Sequence, residues 1–133
     1  MDELQLFINT HPQHPRVPEA NGWMDDLRSR LETKSFEIAK QYHRTQRYAA
    51  AVVAFSNSLA DFPDAPYREE ALYLKADAAF RLAENSVDEK KSLRMKEAQT
   101  ACREALSLFP EGRFAKELQR IQSKIEDSLQ KKS

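Results

Sequence analysis

A short phrase, an apolar helix tail running into an aromatic-Pro or His-Pro step, occurs three times in this chain. It reads Leu6-Phe7-Ile8-Asn9-Thr10-His11-Pro12, then Ser58-Leu59-Ala60-Asp61-Phe62-Pro63, then Ala105-Leu106-Ser107-Leu108-Phe109-Pro110. Proline lacks the backbone donor and biases the residue before it away from helical geometry, so each copy should end a helix. A new helical pattern begins within a few residues each time. The repetition moves the expected fold from a globule to a stack of helical hairpins, an architecture used more for binding than for catalysis.

Composition agrees with an all-α chain. There are two glycines, Gly22 and Gly112, in 133 residues, and no alternating β-branched run; the most strand-like stretch, Ala49 to Phe55, fits a helix better. The 41% apolar content suffices for the core of one domain. Charged residues make up 32% and cancel, 21 basic against 21 acidic, so no overall field draws the chain to nucleic acid or an anionic membrane. Charge-driven recognition must therefore be local. Cys102 is the single cysteine, which excludes intrachain disulfides and cysteine-rich metal sites.

No apolar run approaches the roughly 20 residues of a membrane span, and Met1-Asp2-Glu3 lacks the basic and apolar regions of a signal peptide. Met1 stands directly against a segment that reads as the second half of a hairpin. An upstream partner helix is therefore expected to be missing, and the chain is expected to be a fragment or a mature portion.

Periodicity then divides a single domain, 1–133, into about six helices. Residues 1–11 read as the second helix of a truncated hairpin, with Leu4, Phe7 and Ile8 on one face. Residues 17–65 read as a long helix and its hairpin partner. Trp23, Leu27, Leu31, Ile38 and Tyr42 keep helical spacing on the first, with a bend expected near Gly22 or Thr33; Ala51, Val52, Phe55 and Leu59 point inward on the second. Residues 67–110 read as an alanine-rich hairpin with a long connector, its second helix striped by Leu93, Ala98, Cys102, Ala105, Leu106 and Phe109. Residues 113–131 form a terminal helix, with Phe114, Leu118, Ile121, Ile125 and Leu129 spaced for one face.

Counting back from Pro63, Ile38, Ala39, Tyr42, Tyr48, Ala51 and Phe55 resemble the tetratricopeptide signature. Small residues (Ala39, Ala51) stand where two antiparallel helices touch, and large ones fill the space around them. Counting back from Pro110, Ala98, Cys102 and Ala105 take the second-helix places and Ala76 the first. The spacing is irregular: Pro12 to Pro63 is 51 residues and Pro63 to Pro110 is 47, against about 34 in a regular repeat. The excess is assigned to the long helix before Tyr42 and to the connector around Glu84 to Leu93.

These irregularities, with Leu6 to Pro12, Leu27-Arg28-Ser29-Arg30-Leu31-Glu32, Ala39-Lys40-Gln41-Tyr42, Tyr48-Ala49-Ala50-Ala51-Val52, Asp61-Phe62-Pro63-Asp64, Tyr67-Arg68-Glu69-Glu70-Ala71 and Leu82-Ala83-Glu84-Asn85-Ser86, carry a narrower resemblance. The chain resembles the BamD family of outer-membrane-protein assembly lipoproteins, in the longer form associated with Bacteroidetes-type bacteria. The resemblance implies a lipid-anchored scaffold at the periplasmic face of the outer membrane. Its partners would be the soluble periplasmic domains of the assembly machine's β-barrel subunit and other lipoprotein subunits. The lipidated cysteine and N-terminal repeats of that family have no counterpart here, since Cys102 lies in a helix stripe. The resemblance therefore covers the C-terminal portion. A generic tetratricopeptide adaptor of the envelope, of the Tol-Pal type, is the alternative.

No catalytic, cofactor or metal site is expected. His11 and His14 stand in a proline-rich turn without further ligands, and His43 reads as a helix-surface residue. Cys102 falls where the repeat wants a packing residue, with no base in reach. The adjacent carboxylates Asp25-Asp26 and Glu69-Glu70 point in different directions from a helix and read as solvated. Trp23 reads as core filler near Gly22 or, in the other reading, as an exposed anchor for a partner. The basic and aromatic cluster Tyr42, Arg44, Arg47 and Tyr48 marks the exposed turn of the clearest repeat, and reads first as tyrosines packing the turn with solvated arginines. Its functional reading is a partner-docking edge, which Tyr67 and Arg68 at the next turn would extend.

Overall fold

The computed structural model describes residues 17–131, with side chains from Gly22 onward. It is all-α, with five helices among the described residues: α1 (Val17–Arg44), α2 (Tyr48–Asp61), α3 (Arg68–Glu84), α4 (Asp88–Leu108) and α5 (Ala115–Lys131). The helix expected over 1–11 and the His11–His14 turn lie outside the described residues. The described residues up to Ser35 and those from Phe36 onward belong to two separate compact units.

In the first unit, α1 is helical without a break through Gly22 and Thr33. Pro18 falls in its first turn, where the missing donor costs nothing. Two i,i+4 ion pairs, Asp26–Arg30 at 2.9 Å and Arg28–Glu32 at 3.1 Å, support the helix. Met24, Leu27 and Leu31 are half-buried, but Trp23 is 59% exposed. The core-filler reading of Trp23 is thereby corrected, because the indole is largely open to solvent although it continues the Leu27–Leu31 spacing.

The second unit stacks two helical hairpins and a closing helix. Its α1–α2 turn ends α1 as a Schellman motif: Arg47 N–H donates to Tyr42 O (2.9 Å) and Gln46 N–H to His43 O (3.1 Å). Gln46 takes the left-handed position at φ 64° without being glycine. At the other end of α2, the repeated phrase produces the same backbone twice. Phe62 (φ −133°, ψ 67°) and Phe109 (φ −134°, ψ 67°) close α2 and α4 through bonds to Ser58 O and Ala105 O. Ala65 N–H then bonds Phe62 O and Arg68 N–H bonds Ala65 O; Gly112 N–H and Ala115 N–H do the same 47 residues later. A Cβ at Gly112 would displace the flexible end of the Glu69 side chain and come within 3.0 Å of the Phe109 Cβ.

The core consists of two clusters joined through α3. Phe36, Ala39, Ala51 and Phe55 from α1 and α2 pack with Ala71 and Ala78. The opposite faces of α3 supply Leu72, Ala76, Phe80 and Ala83 to a second cluster with Met95, Ala98 and Cys102 of α4 and Leu118, Ile121 and Ile125 of α5. Alanine at 0% exposure at positions 39, 51, 76, 78, 83 and 98 lets the helix backbones approach closely.

Three expectations change. Ile38 (46% exposed) and Leu93 (62% exposed) are outside; Phe36 and Met95 hold the buried positions. Each pair is two residues apart, about 200° around a helix, so burying one exposes the other. The long connector is also corrected. Only Asn85, Ser86 and Val87 separate α3 from α4, and the additional residues extend the helices, which run to 17 and 21 residues.

Gln46→Gly should raise stability by about 1 kcal/mol, since glycine takes the left-handed cap at no steric cost. Gln46→Val should lower it by at least as much, because a β-branched side chain resists positive φ. Thermal denaturation of the two variants beside the parent measures both.

Candidate functional site

Helices α1, α3 and α5 come side by side on one face of the second unit, held by three kinds of contact. Aromatic pairs come first: Phe36 stacks on Tyr67 (centroids 4.2 Å apart) and Tyr73 on Phe114 (4.6 Å). Glu70 of α3 then lies 3.7 Å from Lys40 Nζ of α1 and 3.7 Å from Arg113 in the turn before α5. These pairs are long and partly solvated, so each contributes little.

The third contact is the tightest. Asp77, 8% exposed, sits in the alanine-rich middle of α3, and its Oδ2 accepts from His43 Nε2 at 2.7 Å and Arg81 Nε at 2.9 Å. A carboxylate has no proton to give, so Nε2 of His43 carries the hydrogen in this bond. Tyr48 completes the group, edge-on to His43 (5.8 Å) and beneath the Arg81 guanidinium (6.0 Å). Burial works against charge on Asp77, but the His43 bond and the Arg81 guanidinium outweigh it and hold the carboxyl below its usual value. His43 is therefore a cross-helix partner, correcting its reading as a surface residue. The signal available in the sequence was Asp77 itself, a charge inside Ala76-Asp77-Ala78-Ala79 where every neighbour is a packing residue.

Beside this cluster lies a hollow of about 300 Å³ between α3 and α5. Tyr73, Phe80 and Ile121 form its apolar part, with Arg120 and Glu117 paired at 3.0 Å on its α5 side. Burial, then Asp77 and Glu117, push the Tyr73 hydroxyl up. A second hollow of about 380 Å³ adjoins it through Phe80, Glu84 and Lys124 and reaches Met95 and Lys131. The face thus offers both signs of charge over an aromatic and aliphatic floor.

The expected docking residues are not brought to one edge. Arg44, 3.6 Å from Glu37, and Arg47 are exposed at the α1–α2 turn, where Tyr48 is held against His43 and Arg81. Tyr67 is stacked on Phe36, and Arg68 donates to Pro63 O (3.1 Å) within the α2–α3 turn. The two groups lie at opposite ends of the 14-residue α2, about 21 Å apart by helix rise. Trp23 is exposed on α1 in the first unit.

Among the described residues, no three His, Cys, Asp or Glu side chains are grouped to hold a metal ion, and no helix is long and apolar enough to cross a membrane. Burial pushes the Cys102 thiol up to about 12, which fits a packing residue and gives little thiolate at neutral pH.

Consecutive antiparallel hairpins with alanine at their contacts, closed by identical Phe-Pro turns, define a tetratricopeptide-like helical-repeat protein. More narrowly, the chain belongs to the YfiO family of outer membrane lipoproteins, whose model matches residues 1–95, through α3 and into α4. No curated protein matches the chain.

Acid should expose the Asp77 cluster. Its carboxyl titrates lower folded than the ordinary 3.8, so its contribution is complete above that value and is lost as pH falls through the lower, folded value. Asp77→Asn should cost about 1–3 kcal/mol at pH 7, because the amide oxygen that would accept from Arg81 and His43 carries no charge and the new NH2 has no acceptor there. The deficit relative to the parent should shrink below pH 4 in urea denaturation series run at several pH values.

Proposed function

We propose that this chain is part of a non-enzymatic scaffold in the periplasmic machinery that assembles and inserts outer-membrane β-barrel proteins, the BAM complex. The observation that carries the reading is the family match across residues 1–95, which spans the repeat whose signature positions Ala39, Ala51 and Phe55 are fully buried. The partner in this reading is the machine's β-barrel subunit, engaged through its soluble periplasmic domains, with other lipoprotein subunits nearby. The full-length protein would be tethered to the periplasmic face of the outer membrane by an N-terminal lipid. The longer Bacteroidetes-like form accords with the extended α3 and α4.

Within that reading, Arg44 and Arg47 are the docking residues best supported by geometry, since both are exposed and their removal disturbs no buried contact. Tyr48, Tyr67 and Arg68 support the turns on which a docking edge would stand. The exposed Trp23 would act as a separate anchor. A general envelope adaptor of the Tol-Pal type is the second reading; it draws on the same helical-repeat fold.

Affinity capture of the full-length protein from detergent-solubilised envelopes separates the two. Recovery of a large β-barrel subunit with polypeptide-binding periplasmic domains is expected; recovery of Tol-Pal components in its place, or of cytoplasmic proteins only, would overturn the proposal. Arg44→Ala with Arg47→Ala should reduce that recovery several-fold while leaving Tm within about 2 °C, as expected for exposed charges.

A further inference from the structure

The face that α2 turns to solvent carries no charge. From Tyr48 to Ala60 the helix reads Tyr-Ala-Ala-Ala-Val-Val-Ala-Phe-Ser-Asn-Ser-Leu-Ala, in a chain that is 32% charged. The inward residues of that run, Ala51 and Phe55, are accounted for by the core, but Ala49 and Val53 are not: Val53 is 59% exposed. Across from it on α4, Leu93 is 62% exposed. The two line one groove of about 470 Å³, floored by Val52 and Leu82. Ala50 and Ala54, on the other flank of Val53, line a second shallow hollow of about 490 Å³. Small residues on both sides of a projecting valine form a surface on which another helix can lie close.

The groove is also electrically polarised along its length. Lys90 and Arg94, one helical turn apart, stand at one edge, and Arg94 is braced by a 2.6 Å bond to Ser86 Oγ. Ala49 is in the first turn of α2, which holds no acidic residue, so the positive end of that helix's dipole is uncompensated by side chains of its own. Arg47 precedes it by two residues. The one acid in the groove lining is Glu97, a further turn along α4 from Leu93. A matching occupant is therefore acidic at the end over Lys90 and Arg94 and aliphatic along its middle.

We infer that the α2–α4 groove is a docking site for an amphipathic helix of a partner protein. That helix would set aliphatic side chains, spaced three and four residues apart, over Val53 and Leu93, and place Asp or Glu against Lys90 and Arg94. The site is distinct from the face shared by α1, α3 and α5. It rests on the scaffold reading in taking the occupant to be a protein of the same assembly.

The test places a photo-crosslinking residue at Val53 in the full-length protein, in intact cells, with the same residue at the exposed Glu104 of α4 as the comparison site. The expected result is an adduct at Val53, enriched about tenfold over Glu104, whose mass-spectrometric sequence is an acidic amphipathic helix of another protein. Adding Leu93→Asp or Lys90→Glu should reduce it about tenfold; both side chains are exposed, so circular dichroism should be unchanged. An adduct with phospholipid, one with a second copy of this chain, or no enrichment over Glu104 would overturn the inference. Capture of the β-barrel subunit, measured on the same cells, keeps the two readings apart. Capture without the adduct removes the groove and leaves the scaffold, whereas loss of capture by the parent protein removes the scaffold.

Discussion

Close contact between alanine surfaces around α3 is the constraint on which the rest of the structure depends. An alanine helix buries little area per residue, so it earns its place by letting its neighbours' backbones come near enough for larger side chains to interlock around it. Ala71 and Ala78 receive Phe36 and Phe55, while Ala76, Ala79 and Ala83, on the other sides, receive Met95, Cys102 and Ile121. Because α3 belongs to both clusters, neither hairpin is packed without it. The repeated Phe-Pro turn sets where each hairpin stops, and the alanines set how tightly the next one sits.

The polar contacts follow from that spacing. Asp77 is tolerated on a helix buried on most sides because α1 is close enough to bring His43 within hydrogen-bond reach, and Arg81 is one turn further along α3. A buried carboxylate with two donors adds less stability than a hydrophobic residue of equal volume could. It does define how α1 and α3 align, since sliding either helix by one turn would take His43 out of reach and leave the charge to Arg81 alone. The same alignment places Lys40, Glu70 and Arg113 in a row and leaves the charged hollows beside Tyr73 and Phe80 open. The α2–α4 groove instead has an aliphatic floor with Lys90 and Arg94 at one edge, so the two surfaces suit different partners.

Much of this was legible in the sequence because the information was local. Proline after an aromatic residue marked the ends of α2 and α4, and the 47-residue offset between Phe62 and Phe109 reappears in backbone angles and hydrogen bonds. The alanine positions Ala39, Ala51, Ala76 and Ala98 were likewise readable from the repeat. What escaped was whatever depends on which side of a helix meets a neighbour. Ile38 and Leu93 look as apolar as Phe36 and Met95, and only the packing of α3 decides between them. The His43–Asp77 bond spans 34 residues, and nothing local ties a histidine near a turn to an aspartate on another helix. For a related reason Arg44 and Arg47 stand apart from Tyr67 and Arg68, because successive turns of a hairpin stack lie at opposite ends of the helices.

Native-state hydrogen exchange on Ala78→Leu tests the central role of α3 most directly. Ala78 packs only in the cluster with Phe36 and Phe55, so overpacking it should cost about 1–3 kcal/mol. If α3 couples the hairpins, amide protection should fall by the same amount in α2 and in α4–α5, since both open only when α3 does. Protection lost in α2 while α4 and α5 keep the parent's values would contradict the account, and would mean that the hairpins fold as independent units.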